Sequence, residues 1–297
     1  MTNDELTRGN RPVSFRRELI VRVLGVLMAG ESCSLVGVGS SGKSNVARHL
    51  ARREVLAYHL GEQSAGCLSV LVNCTHLAEY TLAAIFFALK RVWFYARAAA
   101  LTGRFPPRTP PPGAYGSTVG LVSLGMVGRR VAQLLRPFDL RVIAYDPFAS
   151  AADAAALGLT LASLDEVFRT ADVVSLHTPK LPETLGLITG RHFAAMKTGA
   201  AFINTARGAV VREGEMIEVL TRRPDLTAVL DVTDPEPPLA GSPLYRLPNV
   251  MLTPHIAGSM GLECRRMGRY MAEELRRFVA GEPLRWRITR ELAARLA

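Results

Sequence analysis

The chain has 297 residues, 48% of them hydrophobic, and a formal net charge of +10, enough for one large or two medium domains with a buried core. Arginine carries the charge, since only Lys43, Lys90, Lys180 and Lys197 are lysines, and it falls in scattered pairs such as Arg129-Arg130 and Arg276-Arg277. Without a basic run interleaved with aromatics, solvated helix faces explain that pattern better than a nucleic-acid surface, and anionic cofactors or acidic metabolites suit it equally well.

Cys33, Cys67, Cys74 and Cys264 form no CxxC pair, and Cys74 beside His76 lacks further ligands. No metal site is expected, and reduced thiols fit a cytoplasmic protein. The polar start, Met1 to Asn10, has no apolar signal core, and the most apolar run, Leu82 to Leu89, is too short to span a bilayer. No membrane association is expected.

In chain order, Phe15 to Ala29 carry Leu19, Val23 and Leu27 at helical spacing. A short strand, Ser34 to Val38, runs into Gly37-Val38-Gly39-Ser40-Ser41-Gly42-Lys43-Ser44, the full G-x-x-x-x-G-K-S pattern. The backbone of such a loop cradles phosphates, with Lys43 suited to a β/γ-phosphate and Ser44 to Mg²⁺; a chance Gly/Ser turn is the other reading. A helix through about Leu56 and a strand at Leu68 to Val72 follow. Residues 1–77 resemble the start of an AAA-type or Orc-like P-loop ATPase. No apolar strand ending in an Asp-Glu pair follows before residue 78, so the expectation is a truncated P-loop segment without ATP turnover.

Glu79 to Ala99 reads as one strong helix, with Leu82, Ile85, Leu89 and Val92 on one side and Trp93 beside them. A proline-rich connector, Pro106 to Gly116, ends it, so residues 78–117 form a helix and connector. Strands are then expected at Val119–Ser123, Arg141–Tyr145, Val173–Leu176, Ala201–Asn204, Ala228–Leu230 and Val250–Leu252. Helices fall between them, for instance Gly128–Leu135 and Glu213–Leu220, with a further helix from Met260 to Arg277. That rhythm predicts an α/β fold, a Rossmann-type doubly wound parallel sheet over 118–282, and then a helical tail over 283–297.

The first of those strands ends in Ser123-Leu124-Gly125-Met126-Val127-Gly128. A tight turn between strand and helix lets backbone amides and the positive helix end face a pyrophosphate, and glycines at 125 and 128 keep the approach clear. The first glycine of the usual triplet is replaced by Ser123, whose Cβ the turn must tolerate. Asp146 follows eighteen residues after Gly128, at the end of the next strand. There it can accept both adenosine-ribose hydroxyls and repel a ribose phosphate, which favours NAD over NADP; an ordinary Asp-Pro turn is the alternative.

Three residues past later strands supply the chemistry. Arg207, in Asn204-Thr205-Ala206-Arg207-Gly208, offers a planar fork to a carboxylate. Glu236 lies in Asp231-Val232-Thr233-Asp234-Pro235-Glu236, and His255 in Leu252-Thr253-Pro254-His255. Singly they are a surface cation, a loop acid and a capping histidine. Together, at one edge of a parallel sheet, they are an anion clamp, an acid and a base capable of proton exchange near neutral pH.

The stretch from about Ala78 to Glu282 resembles the D-isomer-specific 2-hydroxyacid dehydrogenases. The matching segments are Ala78–Ala83, Gly120–Gly128 with Asp146, Val174–Pro179, Asn204–Gly208, Leu230–Pro237 and Leu252–Gly258. The resemblance implies that Arg207 holds the substrate carboxylate and carbonyl, His255 passes the proton and Glu236 pairs with His255. It further implies that Asp231 contacts the nicotinamide end and that His177, Thr178 and Thr205 line the cofactor cleft, although His177 reads equally as a satisfied core histidine. It also makes helix 79–99 a homodimer contact, an ordinary core helix being the alternative. The function expected is NAD-dependent interconversion of a D-2-hydroxy acid and its 2-oxo acid. The alternatives are an NAD-binding module with little turnover, because residues 1–77 stand where the family's substrate half-domain would be, and an ATP-binding regulatory fragment driven by Lys43.

Overall fold

The computed structural model describes residues 75–285. The Gly37–Ser44 loop with Gly42 and Lys43, the elements expected before residue 75, and the tail after residue 285 lie outside the described residues. Two compact units divide what is described: residues 75–258 and residues 259–285.

Residues 75–258 form a seven-stranded, wholly parallel sheet. Its strands are β1 (Thr118–Val122), β2 (Arg141–Tyr145), β3 (Thr160–Leu161), β4 (Val173–Leu176), β5 (Ala201–Asn204), β6 (Thr227–Leu230) and β7 (Val250–Leu252), in the order β3-β2-β1-β4-β5-β6-β7. Parallel strands need crossovers that place helices on both faces, so central strands become apolar throughout rather than alternating. All of β1, β4 and β5 is buried accordingly.

Alternate side chains serve the two faces. Val119, Leu121, Val173 and Ile203 pack with Ile85 and Leu89 of helix α1 (Thr75–Leu89) and with Val131 and Leu135 of α3 (Met126–Leu135). On the other face, Val122, Val174, Leu176 and Phe202 meet α5 (Leu164–Thr170), α6 (Gly190–Ala194) and α7 (Glu213–Arg222) through Phe168, Phe193 and Leu220. Helix α4 (Ala151–Leu157) starts on a capping box in which Ser150 and Asp153 satisfy each other's backbone amides.

The expected single helix over 79–99 is two helices. α1 ends at Leu89 and α2 (Val92–Thr102) begins after Arg91, which has φ 54°. A continuous helix would direct the Trp93 amide to the Leu89 carbonyl; the connector takes that carbonyl instead, through Gly113 N–H at 3.1 Å. The other expected strands hold within one residue at each end, whereas two-residue β3 was too short to show a periodicity. Residues 259–285 are taken up mainly by helix α8 (Glu263–Val279), three residues later at its start than expected. No helix among the described residues is long and apolar enough to cross a membrane.

Candidate active site

The strand order reverses between β1 and β4, so the chain leaves these neighbours in opposite directions and opens a crevice at their carboxyl ends. The glycine turn stands there. Ser123 takes the position of the missing glycine and also its backbone, with φ 77°. For a residue with a Cβ that left-handed conformation costs about 1–2 kcal/mol. It is held by the Ser123 amide on the Tyr145 carbonyl (2.7 Å) and by the Ser123 hydroxyl, which bonds that of Thr178 after β4 (2.9 Å).

The two remaining glycines have different jobs. A Cβ on Gly125 would meet nothing within 4 Å, so the space above the turn is open to a ligand. A Cβ on Gly128 would stand 2.2 Å from the Ser123 carbonyl oxygen, so only glycine lets α3 seat on the turn. The first intrahelical bond of α3 runs from Arg129 N–H to the Gly125 carbonyl (3.0 Å). The amides of Met126, Val127 and Gly128 precede it and point out of the helix end, the arrangement that receives a pyrophosphate. The open cradle and these amides fit a dinucleotide.

Asp146 stands at the end of β2 as expected, but its carboxylate is already engaged. Oδ2 accepts the Leu124 amide (2.6 Å), and Oδ1 accepts those of Phe148 (2.8 Å) and Ala149 (3.1 Å). A carboxylate has about four acceptor positions. One remains, on Oδ2, so Asp146 fastens the glycine turn to β2 and has room for a single ribose hydroxyl rather than both.

His177 lies under the turn, its Cδ2 3.7 Å from where a Gly128 Cβ would be. Nε2 is 3.0 Å from the Ser175 hydroxyl, while Nδ1 is out of solvent and has no hydrogen-bond partner. Burial pushes the imidazole down to about 4. His177 is therefore a neutral support of the turn, nearer to the core-histidine reading. Thr205 is likewise buried, with its hydroxyl 3.3 Å from that of Thr81 on α1, so it faces a helix and not an open cleft.

Arg207, Glu236 and His255 follow β5, β6 and β7, which are neighbours, so the three loops meet at one edge. His255 Nδ1 and Glu236 Oε1 are 2.7 Å apart, and both side chains are well exposed, at 44% and 42%. Arg207 Nη1 donates to the Ala206 carbonyl at 2.6 Å. Asn204 shapes that loop, its Nδ2 donating to the Arg207 carbonyl and its Oδ1 accepting the Ala206 amide. Behind Arg207, a Cβ on Gly208 would lie 2.0 Å from the Thr233 carbonyl carbon, so the loops bearing Arg207 and Glu236 touch backbone to backbone.

His255 has φ 55°, the second residue of the site, after Ser123, held in the left-handed region. Its loop is over-determined by Asp231, only 1% exposed, whose main-chain carbonyl accepts the His255 amide (3.0 Å). The Asp231 carboxylate accepts the Thr253 hydroxyl on Oδ1 (2.6 Å), the Ile256 amide on Oδ1 (2.9 Å) and the Ala257 amide on Oδ2 (2.8 Å). Asp231 is thus the fastening of the histidine loop, with three of its carboxylate's roughly four acceptor positions taken inside the protein.

Thr253 and Glu213 brace these loops without belonging to the Arg207, Glu236 and His255 constellation. Thr253 sits two residues before His255 at a strand's carboxyl end, a place where a hydroxyl is a visible signal. Glu213 accepts the Asp234 amide at 3.0 Å, and burial raises its carboxyl above the usual range. Nothing in the local pattern distinguishes it from the other acids of α7.

Residues 82–257 match the model of the family described as D-isomer specific 2-hydroxyacid dehydrogenase, NAD binding domain. The D-3-phosphoglycerate dehydrogenase of Mycobacterium bovis is 43% identical over 168 residues, 57% of this chain and 32% of that protein. The chain thus spans about a third of the length of the curated relatives it matches. A D-isomer specific 2-hydroxyacid dehydrogenase from Xanthobacter autotrophicus, solved with NADPH and MES, is 28% identical with a TM-score of 0.61, covering 72% of this chain and 67% of that one. Rhodotorula graminis D-mandelate dehydrogenase is 30% identical, TM-score 0.59, covering 71% and 64%.

Proposed function

Since the chain belongs to the D-isomer specific 2-hydroxyacid dehydrogenase family through its NAD binding domain, we propose that it interconverts a D-2-hydroxy acid and its 2-oxo acid with NAD as cofactor. The observation that supports this reading is the 2.7 Å contact between His255 Nδ1 and Glu236 Oε1. Glu236 orients the ring by holding Nδ1, which leaves Nε2 to exchange the proton. Bound NADH would supply the hydride to C2 of the 2-oxo acid. Arg207 binds the substrate carboxylate and polarises the C2 carbonyl. As that carbonyl oxygen gains charge, His255 gives it the Nε2 proton; in oxidation the same nitrogen takes the hydroxyl proton back.

NAD is favoured over NADP by Asp146, whose charge opposes a 2′-phosphate, although the Xanthobacter relative was solved with NADPH. Titrating NADH and NADPH by fluorescence tests the preference. A homodimer is part of this reading: Phe87, Phe94 and Leu101 on α1 and α2 are 47%, 46% and 76% exposed, an apolar face suited to a second copy. Light scattering on the purified chain measures it. For the Gly37–Ser44 loop the pattern alone supports a phosphate cradle, tested by labelled ATP against wild type and Lys43→Ala.

The deciding experiment is NADH oxidation with glyoxylate, pyruvate and hydroxypyruvate, beside an NADH titration. Turnover lost in His255→Ala is expected. Retained NADH binding with no rate above His255→Ala would instead establish a binding module without turnover, the reading favoured by the exposure of the His255–Glu236 pair.

A further inference from the structure

Tyr80 and Thr81 are consecutive on α1, and each reaches a different loop of the site. The Tyr80 hydroxyl lies 3.0 Å from Thr253 Oγ1, 173 residues away, and the Thr81 hydroxyl 3.3 Å from Thr205 Oγ1. α1 therefore touches both the loop that bears His255 and the loop that bears Arg207.

Proton order along the first contact follows from donor counting. Thr253 has one hydroxyl proton, and the buried Asp231 carboxylate, 2.6 Å away, only accepts. The Thr253 proton goes to Asp231, so Tyr80 must be the donor to Thr253. Burial raises the Tyr80 phenol above its ordinary value and the Asp231 charge adds to the rise, which keeps that proton in place.

We propose that Tyr80 is a positioning residue for His255: by donating to Thr253 it orients the Thr253 proton onto Asp231, which in turn holds the Ile256 and Ala257 amides that fix the histidine loop. Without this donor the Thr253 hydroxyl loses one of its two side-chain partners, Tyr80 and Asp231, and with it the lock on its rotor. The left-handed backbone of His255 persists only while its surroundings over-determine it, and Asp231 supplies most of those fastenings. The proposal rests on the reading of His255 as proton carrier for its catalytic consequence, but not for its structural one.

Tyr80→Phe, Thr253→Val and the double variant of the full chain test it by amide exchange at Ile256 and Ala257. Tyr80→Phe is expected to speed exchange there roughly three- to tenfold, the worth of one hydrogen bond, with the amides of α1 unchanged. Because the links are in series, Tyr80→Phe added to Thr253→Val should add nothing, and Thr253→Ser should restore the wild-type rate. In turnover, kcat falls in Tyr80→Phe while KM for NADH holds. Unchanged exchange at 256 and 257, or additive effects in the double variant, overturns the proposal. If exchange behaves as expected and the wild type turns over no 2-oxo acid, the relay stands and the dehydrogenase reading falls.

Discussion

Replacing Gly208 by alanine tests whether the arrangement of the three loops is what makes the site. The added methyl carbon would stand 2.0 Å from the Thr233 carbonyl carbon, 2.2 Å from its oxygen and 2.6 Å from the Asp234 nitrogen. All three are backbone atoms, so no side chain can swing aside. Ordinary contact begins at 3.4 Å, and clearing the 2.0 Å contact therefore requires the two loops to part by more than about 1 Å. The loop that moves leads from β6 to Glu236, whose 2.7 Å bond to His255 has no slack for such a shift. A misplacement of about 1 Å is worth roughly a hundredfold in rate, and overpacking costs about 1–3 kcal/mol in stability. The glycine turn belongs to β1 and β2, so NADH binding should stay within a few-fold of wild type. Steady-state kinetics with the best 2-oxo acid, an NADH titration and urea unfolding give the three numbers. A folded Gly208→Ala protein with wild-type kcat/KM would refute the claim that loop contact at Gly208 sets the catalytic geometry.

Other perturbations separate the remaining roles. His177, held neutral down to about 4, makes the folded state reject a proton that the unfolded chain accepts below about 6.5. Stability is thus lost as pH falls from about 6.5 to 4, by up to about 3 kcal/mol, and His177→Gln should flatten that slope in urea unfolding at pH 4.5 against pH 7. Ser123→Gly and Ser123→Ala both lose the bond to Thr178, but only glycine relieves the positive φ. The glycine variant should be the more stable by about 1 kcal/mol, and equal stabilities would show that the turn relaxes around the Cβ. Arg207→Lys keeps the charge but loses the bidentate fork, so KM for the 2-oxo acid should rise at least tenfold with NADH affinity unchanged. His255→Gln should lower kcat by about 10²–10⁴; a smaller loss means that another group carries the proton.

Most of the architecture was readable in the residues. Buried parallel strands are continuous apolar runs, and four of the six expected, Arg141–Tyr145 among them, keep their exact bounds. The glycine spacing after β1, Asp146 closing β2, and Arg207, Glu236 and His255 each just past a strand are also local facts, because a parallel sheet puts every strand's carboxyl end on the same edge. Distant partners account for the departure from local pattern. The helix over 79–99 breaks because Gly113 takes a carbonyl that the helix would have used.

The amino-acid sequence by itself determined the elements, the parallel sheet and the residue types at the edge, since periodicity, turn chemistry and strand ends are encoded over a few neighbouring positions. Only the tertiary structure decided how those residues are engaged. Asp146 holds three amides and keeps one acceptor position, Ser123 adopts a glycine's backbone with Thr178 across the crevice, and Asp231 fastens the histidine loop with Thr253 and Tyr80 behind it. Hydrogen-bond capacity is a property of a residue, but its use depends on which loops the fold brings within 3 Å, and those partners lie as many as 173 positions away.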